Sequence, residues 1–238
     1  MKPNQQSKIS KKNQVLKMFD SISNEYDLIN SIITFNSHKR WKREILKIAR
    51  KLNPKNALDI ATGTADIAIQ LGTLTNCKVI GIDISKKMLD IGRQKIKKNK
   101  LDHCIFLKTG DAEILDYEDN FFDIITIGFG VRNFQDLEKG LKESLRVLNK
   151  KGALIILETS IPKNKIIRFF YSLFTKTYIP LVSRIFSRDK SAYSYLINSA
   201  EVFPCGNEFA KILKKTGFKN IQINNKFFGS TSIYVCQK

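Results

Sequence analysis

Apolar positions along this chain alternate between two periods, and the switches between them mark its elements. Runs that are apolar at nearly every position fall at 56–60, 78–82, 105–109, 122–127 and 153–158, the pattern of strands buried on both faces. Between them, at 66–71, 86–99 and 136–148, apolar residues recur three and four apart, which is the helical period. Strand and helix in regular alternation predict right-handed crossovers and a mostly parallel sheet with helices on both faces, a Rossmann-like α/β fold. Helical spacing also precedes this core, at 15–30 and 39–52. In the second of these, Trp41, Ile45, Ile48 and Leu52 share one face and Asn53-Pro54 ends the helix. Beyond the core, a helix over 207–216 stops at Gly217, and short strand patterns at 220–225 and 231–236 flank Gly229. They predict an antiparallel C-terminal hairpin closing the sheet edge.

Residues 166–186 break the alternation. Six aromatic rings lie there, but Arg168, Lys176 and Arg184 interrupt the run, so it does not read as a membrane span. Two readings stay open together: a helical pair packed on the main domain, and an apolar lid over a greasy substrate or a face for a membrane surface.

Composition narrows the class. A chain of 238 residues fits a single domain with additions. Cys77, Cys104, Cys205 and Cys236 are scattered, without a paired C-x-x-C or a His companion, so neither zinc nor any other metal nor a disulfide framework is expected. With no signal-peptide pattern at the basic start, the expected location is cytoplasmic, with peripheral attachment at the inner face of the membrane left open. The net charge of +19, from 41 basic and 22 acidic residues, invites nucleic acid or anionic lipid. Lys outnumbers Arg and is spread along the chain rather than interleaved with aromatics, so the basicity reads mainly as a solvated surface, and no nucleic-acid partner is expected.

The candidate chemistry begins at LDIATGTADIA, residues 58–68, where a buried strand must turn into a helix at Thr62-Gly63-Thr64. Glycine there lets the backbone approach a ligand closely. Twenty residues after Gly63, Asp83 ends the next strand, the position where such folds place a carboxylate for a ribose. A pyrophosphate-binding turn needs three glycines, and this one has a single glycine with Asp66 at the helix start, where the anion would dock. The loop suits S-adenosylmethionine, which has no phosphate and whose sulfonium and ammonium acids such as Asp59 can attract.

Several blocks carry a closer likeness: KMFDSISNEYDLINSIITFNSHKRWKRE at 17–44, GIDISKKMLDIGRQK at 81–95, GDAEILDYEDNFFDIITIGFGVRNFQDLEKGLKESLRVL at 110–148, and AYSYLINSAEVFP at 192–204. They resemble the ubiquinone/menaquinone biosynthesis C-methyltransferases, class I enzymes dependent on S-adenosylmethionine. The Y-D-L-I-N and F-G-V-R-N blocks, which lie outside the shared cofactor loop, are the specific part. The resemblance implies methylation of demethylmenaquinol to menaquinol. The alternatives are a polyprenyl benzoquinol of the ubiquinone route and, on basicity alone, an RNA. It further implies a lipophilic polyprenyl quinol as partner, transient contact with a membrane surface, and leaves a homodimer open.

Carried over by position, the resemblance implies that Thr64 lines the cofactor loop, Asp83 holds the ribose, and Asp111-Ala112 flank the adenine. Asp111 is otherwise an ordinary turn aspartate. Gly128 stands where some members have a serine touching the cofactor, leaving only a backbone contact. Ala65 departs from the commoner G-T-G-D loop, and Lys150-Lys151-Gly152 departs from the usual Lys-Pro-Gly-Gly turn.

A quinol carbon becomes nucleophilic when the neighbouring hydroxyl loses its proton, so the site must favour an oxyanion and exclude water. Arg132, always protonated, and Asn133 are the candidates for charge stabilisation or water positioning. Alternatively they form a helix-entry pair bridged to Asp136. On the substrate side, Tyr26, Asp27, Asn30, His38 and Tyr195 are candidates to orient the quinol, or are buried polar residues satisfied by backbone. His38 otherwise caps the helix beginning near residue 39, and no residue is singled out as the base. The expected layout is a disordered basic head at 1–14, substrate-side helices at 15–52 and a cofactor-binding core at 53–160. A helical apolar cap at 161–205 and a last helix with closing strands at 206–238 complete it.

Overall fold

A computed structural model describes residues 1–187 and 189–238, the side chain of Lys190 excepted. Its centre is a seven-stranded sheet built from β1 (Asn56–Ile60), β2 (Lys78–Asp83), β3 (Ile105–Thr109), β4 (Phe122–Gly128), β5 (Leu148–Thr159), β6 (Lys219–Lys226) and β7 (Thr231–Gln237). The spatial order is β3-β2-β1-β4-β5-β7-β6. The first five strands are parallel, with Leu58 opposite Ile80 on one side and Ile125 on the other. β7 runs antiparallel to both neighbours, so the C-terminal hairpin closes the edge as its turn pattern predicts. β5 is longer than the apolar run 153–158, because Leu148 already pairs with Phe122 across a register shift.

Helices cover both faces. On one lie α6 (Leu137–Val147) and α9 (Asn207–Thr216), whose Leu141, Val147, Phe209 and Leu213 pack on Leu58, Ile125 and Leu154. On the other, α3 (Ser37–Leu52) and α4 (Asp66–Leu71) bring Ile45, Ala49, Ala68 and Leu71 onto Ala57, Val79 and Ile155. α5 (Lys86–Lys98) joins that face through Ile96, its start fixed by Ser85, whose hydroxyl accepts from the Met88 amide. A third cluster forms the cap over the sheet's C-terminal edge. There α1 (Lys11–Ile22), α2 (Tyr26–Ile33), α7 (Lys165–Phe186) and α8 (Lys190–Val202) bury Val15, Ile22, Ile29, Val182 and Tyr193 together.

Three expectations change. The helical spacing at 15–30 resolves into two helices separated at 23–25, where the Ser23 hydroxyl turns back onto the Asp20 carbonyl. The basic head contributes to α1 from Lys11 onward, capped by Ser10. The segment 166–186 is one helix rather than a pair, running through Pro180.

Candidate functional site

The strand order reverses between β1 and β4, so the loops leaving their C-terminal ends diverge and open a crevice. The backbone at its mouth is held in the left-handed region at Ala61 (φ 53°), Gly63 (56°), Ala65 (65°) and Phe129 (56°). At Gly63 an added Cβ would meet nothing within 4 Å, so conformation rather than space demands glycine, and the backbone stays open to a ligand.

Gly63 donates its amide to Asp83 Oδ2 at 2.9 Å, and Ser85 donates its amide to Oδ1 at 2.8 Å. Burial raises the Asp83 carboxyl above its ordinary value against these two bonds. Asp111 stands across the crevice with Ala112. Its Oδ1 accepts from the Glu113 amide and its Oδ2 pairs with the Lys12 ammonium at 2.8 Å, so it is at once a turn aspartate and a wall of the crevice. Beneath the loop, Asp59 is 1% exposed and accepts from the hydroxyls of Thr62 and Thr126, each at 2.6 Å. Burial pushes its carboxyl up to about 6, with the two hydroxyls acting in the opposite direction. At Gly128 a Cβ would collide with the Ile67 side chain, so a serine there would force Ile67 to move.

The crevice, of about 80 Å³, adjoins a much larger cavity of about 450 Å³, and the two share Tyr26, Ala61, Gly63, Gly128 and Phe129 as common walls. The larger cavity is floored by the cofactor-loop residues and roofed by α2, α3, α7 and α8. Its apolar side includes Trp41, whose ring centroid lies 6.1 Å from those of both Phe129 and Phe227. Polar groups reach it from Asn30, His38, Lys42 and Arg132.

The predicted residues separate into those at the cavity and those behind it. Tyr26, Asn30, His38 and Arg132 line it. Asp27 does not: its carboxylate accepts from Thr64 Oγ1 at 2.7 Å and from the Lys95 ammonium at 3.0 Å, so it locks the cofactor loop instead of facing a quinol. Tyr195 also lies outside the cavity lining, donating to Asn133 Oδ1 at 3.1 Å, and Asn133 itself lines the crevice. His38 sits within α3, one residue past its first, and does not cap it. Arg132 bridges Glu158 at 2.7 Å rather than Asp136, which instead caps α6. Arg132 Nη1 also donates to the Phe129 carbonyl, while Nη2 donates to none of the described residues.

The residues that sequence reasoning passed over are the ones holding others in place. Glu158, fully buried, fixes Arg132 through Oε1, and its Oε2 has no hydrogen-bond partner among the described residues. An acid inside the apolar run of β5 was the signal, as Asp59 is in β1. Tyr193 rather than Tyr195 lines the cavity, a choice set by helix phase. Lys42 and Lys95 both bridge Asp66, and burial, which alone would raise that carboxyl, is overcome by them, so it stays well below the usual range. The acid at the start of α4 is therefore neutralised locally.

These groups fit S-adenosylmethionine. The single open glycine, a carboxylate at the ribose position, a second acid across the crevice and a buried acid under the loop match its hydroxyls, adenine amine and cationic centres, and no phosphate cradle is present among the described residues.

Residues 7–238 match the ubiE/COQ5 methyltransferase family. A relative from Bacteroides fragilis named demethylmenaquinone methyltransferase is 37% identical over 229 residues, covering 96% of this chain and 94% of its own. One of the same name from Bacillus mycoides is 39% identical over 228 residues, covering 95% and 96%. Among solved structures, a putative S-adenosylmethionine-dependent methyltransferase from Methanococcus maripaludis superposes with a TM-score of 0.63 at 19% identity. It covers 99% of this chain and 96% of that one, a likeness of fold.

Proposed function

The chain belongs to the ubiE/COQ5 methyltransferase family, and from that premise we propose that it moves a methyl group from S-adenosylmethionine to a ring carbon of demethylmenaquinol, yielding menaquinol. The observation that carries this reading is the junction of the two cavities. A narrow crevice fitted to an adenosyl group opens, past Gly63 and Gly128, into a large apolar chamber fitted to a lipophilic ring.

Bound in the crevice, S-adenosylmethionine supplies an electrophilic methyl on a cationic sulfur. Asp83 would take the ribose hydroxyls, Asp111 and Ala112 would flank the adenine, and Asp59 would attract the ammonium. Arg132, immobilised by Glu158, offers to the developing oxyanion its Nη2, which donates to none of the described residues. Tyr26 and Phe129, on the shared wall, exclude water from the reacting atoms.

The tail of the quinol leads toward α7. Ile166, Phe169, Phe170 and Leu173 form an exposed stripe at helical spacing, and the helix carries Lys165, Arg168, Lys176 and Arg184 with no acid. Apolar side chains beside cations support attachment to the anionic surface of a membrane on its cytoplasmic side, where a polyprenyl quinol is drawn out. Among the described residues no helix is long and apolar enough to cross a membrane.

Methyl-labelled S-adenosylmethionine, incubated with the protein and a short-chain demethylmenaquinol, is expected to give labelled menaquinol. A parallel incubation with a polyprenyl benzoquinol intermediate tests the ubiquinone route. Label in the benzoquinol alone moves the substrate to that route, and label in neither overturns the reading.

A further inference from the structure

His38 is 5% exposed and lines the large cavity, and its two ring nitrogens are distinguished by their neighbours. Nδ1 lies 2.7 Å from Thr34 Oγ1. That hydroxyl has a single proton, which it gives to the Asn30 carbonyl at 2.7 Å. Toward His38 it can therefore only accept, so Nδ1 must carry the ring's proton. Nε2 is left with its lone pair and makes no hydrogen bond to any described residue.

We infer that His38 Nε2 is the acceptor of the quinol hydroxyl proton, with Thr34 as the residue that sets the imidazole's tautomer. This rests on the quinol reading of the cavity. In the step, the quinol O–H bond breaks and an Nε2–H bond forms, leaving an imidazolium and a quinolate. The ring carbon then bonds to the methyl, the C–S pair stays on sulfur, and the cationic donor becomes neutral. The methylated carbon loses its hydrogen as a proton, aromaticity returns, and the oxygen regains the proton held on His38. One proton leaves to solvent overall.

Charges around the ring suit an acceptor that is empty at the start. Lys39 and Lys42 on its own helix, Asp66 on α4 and Asp27 on α2 face it. Burial first, and then Lys42, hold the imidazole down to about 4, so it is neutral and ready at any working pH. The same Lys42 ammonium, 15% exposed, favours a quinolate in the cavity. The quinolate in turn adds negative charge beside the imidazolium to that of Asp66 and Asp27, which burial and Lys42 outweigh in the empty site.

Two measurements test the assignment. Nitrogen-15 NMR of the cofactor-free protein is expected to show His38 protonated at Nδ1 and bare at Nε2, and Thr34→Val to release that preference. His38→Gln, which keeps a polar side chain but takes up no proton, is expected to lower kcat at least 100-fold while S-adenosylmethionine binding by calorimetry stays within threefold of the parent. Thr34→Val, with His38 retained, should lower kcat about tenfold, a second handle should His38→Gln fold poorly. A proton found on Nε2, or His38→Gln turning over within threefold of the parent, overturns the proposal. A parent protein that methylates neither quinol defeats the reading of the substrate instead, and leaves the tautomer result standing.

Discussion

At the scale of single residues, the site depends on buried charges whose partners are few. Arg132 and Glu158 are 7% and 0% exposed in their side chains, so removing one strands the other in a medium of low polarity. Glu158→Ala is expected to cost about 3–5 kcal/mol of stability by denaturant titration, a range found when buried pairs are broken. A loss below 1 kcal/mol would mean that water reaches Arg132. Asp59 makes stability depend on pH. Its carboxyl rises from an ordinary 3.8 to about 6 in the fold, so through this group the cofactor-free protein gains stability as pH falls from 6 toward 4. Cofactor binding runs the opposite way, because protonation discharges the acid that attracts the ammonium. Affinity for S-adenosylmethionine should weaken roughly tenfold per pH unit below about 6, and calorimetry showing flat affinity from pH 7 to 5 would remove Asp59 from that role. Gly63→Ala places a side chain at φ 56° and should cost about 1–2 kcal/mol through conformation alone, read as a lowered melting temperature. The placement of Asp59, Gly63 and Asp83 around the loop is legible in the sequence, because strand ends and spacing mark them. Glu158 shows in the sequence as an acid inside the apolar run of β5, but its partner Arg132, and the choice of Tyr193 over Tyr195 at the cavity, depend on what faces them across the sheet edge and the cap, which no local spacing carries.

At the scale of elements, periodicity locates the strands to within a residue or two, except β5, whose residues 149–152 lie in the register shift between the pairs Phe122–Leu148 and Ile124–Ala153 and carry no apolar signal. The cap was harder to read. Twenty-two residues make α7 about 33 Å long. Pro180 removes one backbone donor without ending the helix, and the Ser183 hydroxyl donates to its carbonyl. The helix packs on the domain through buried Thr175 and Val182 and leaves Phe169 and Leu173 exposed on its other face. Phe169→Glu combined with Leu173→Glu, both outside the cavity lining, should abolish sedimentation with anionic vesicles yet leave turnover of a short-chain quinol within twofold. Unchanged vesicle binding would free α7 from that role, and a dimer dissociated by the same pair of changes would assign its face to a second copy.

At the scale of the whole molecule, the parallel core with its antiparallel edge follows from the alternation of elements, and the crevice from the reversal of strand order. The contacts that join cap to core were invisible in sequence, since they link residues far apart in the chain. Asp27 on α2 reaches Thr64 in the cofactor loop, Lys95 on α5 joins both to Asp66, and Lys42 on α3 completes the chain of charges. The roof of the large cavity is thus fastened to the loop beside the crevice. Affinities linked in this way must change by the same factor in both directions. A quinol analogue should tighten S-adenosylmethionine roughly tenfold, a gain that Asp27→Ala reduces toward none. With coupling of that size each ligand would hold the other in place, and the reactive donor would wait less often without an acceptor at its side.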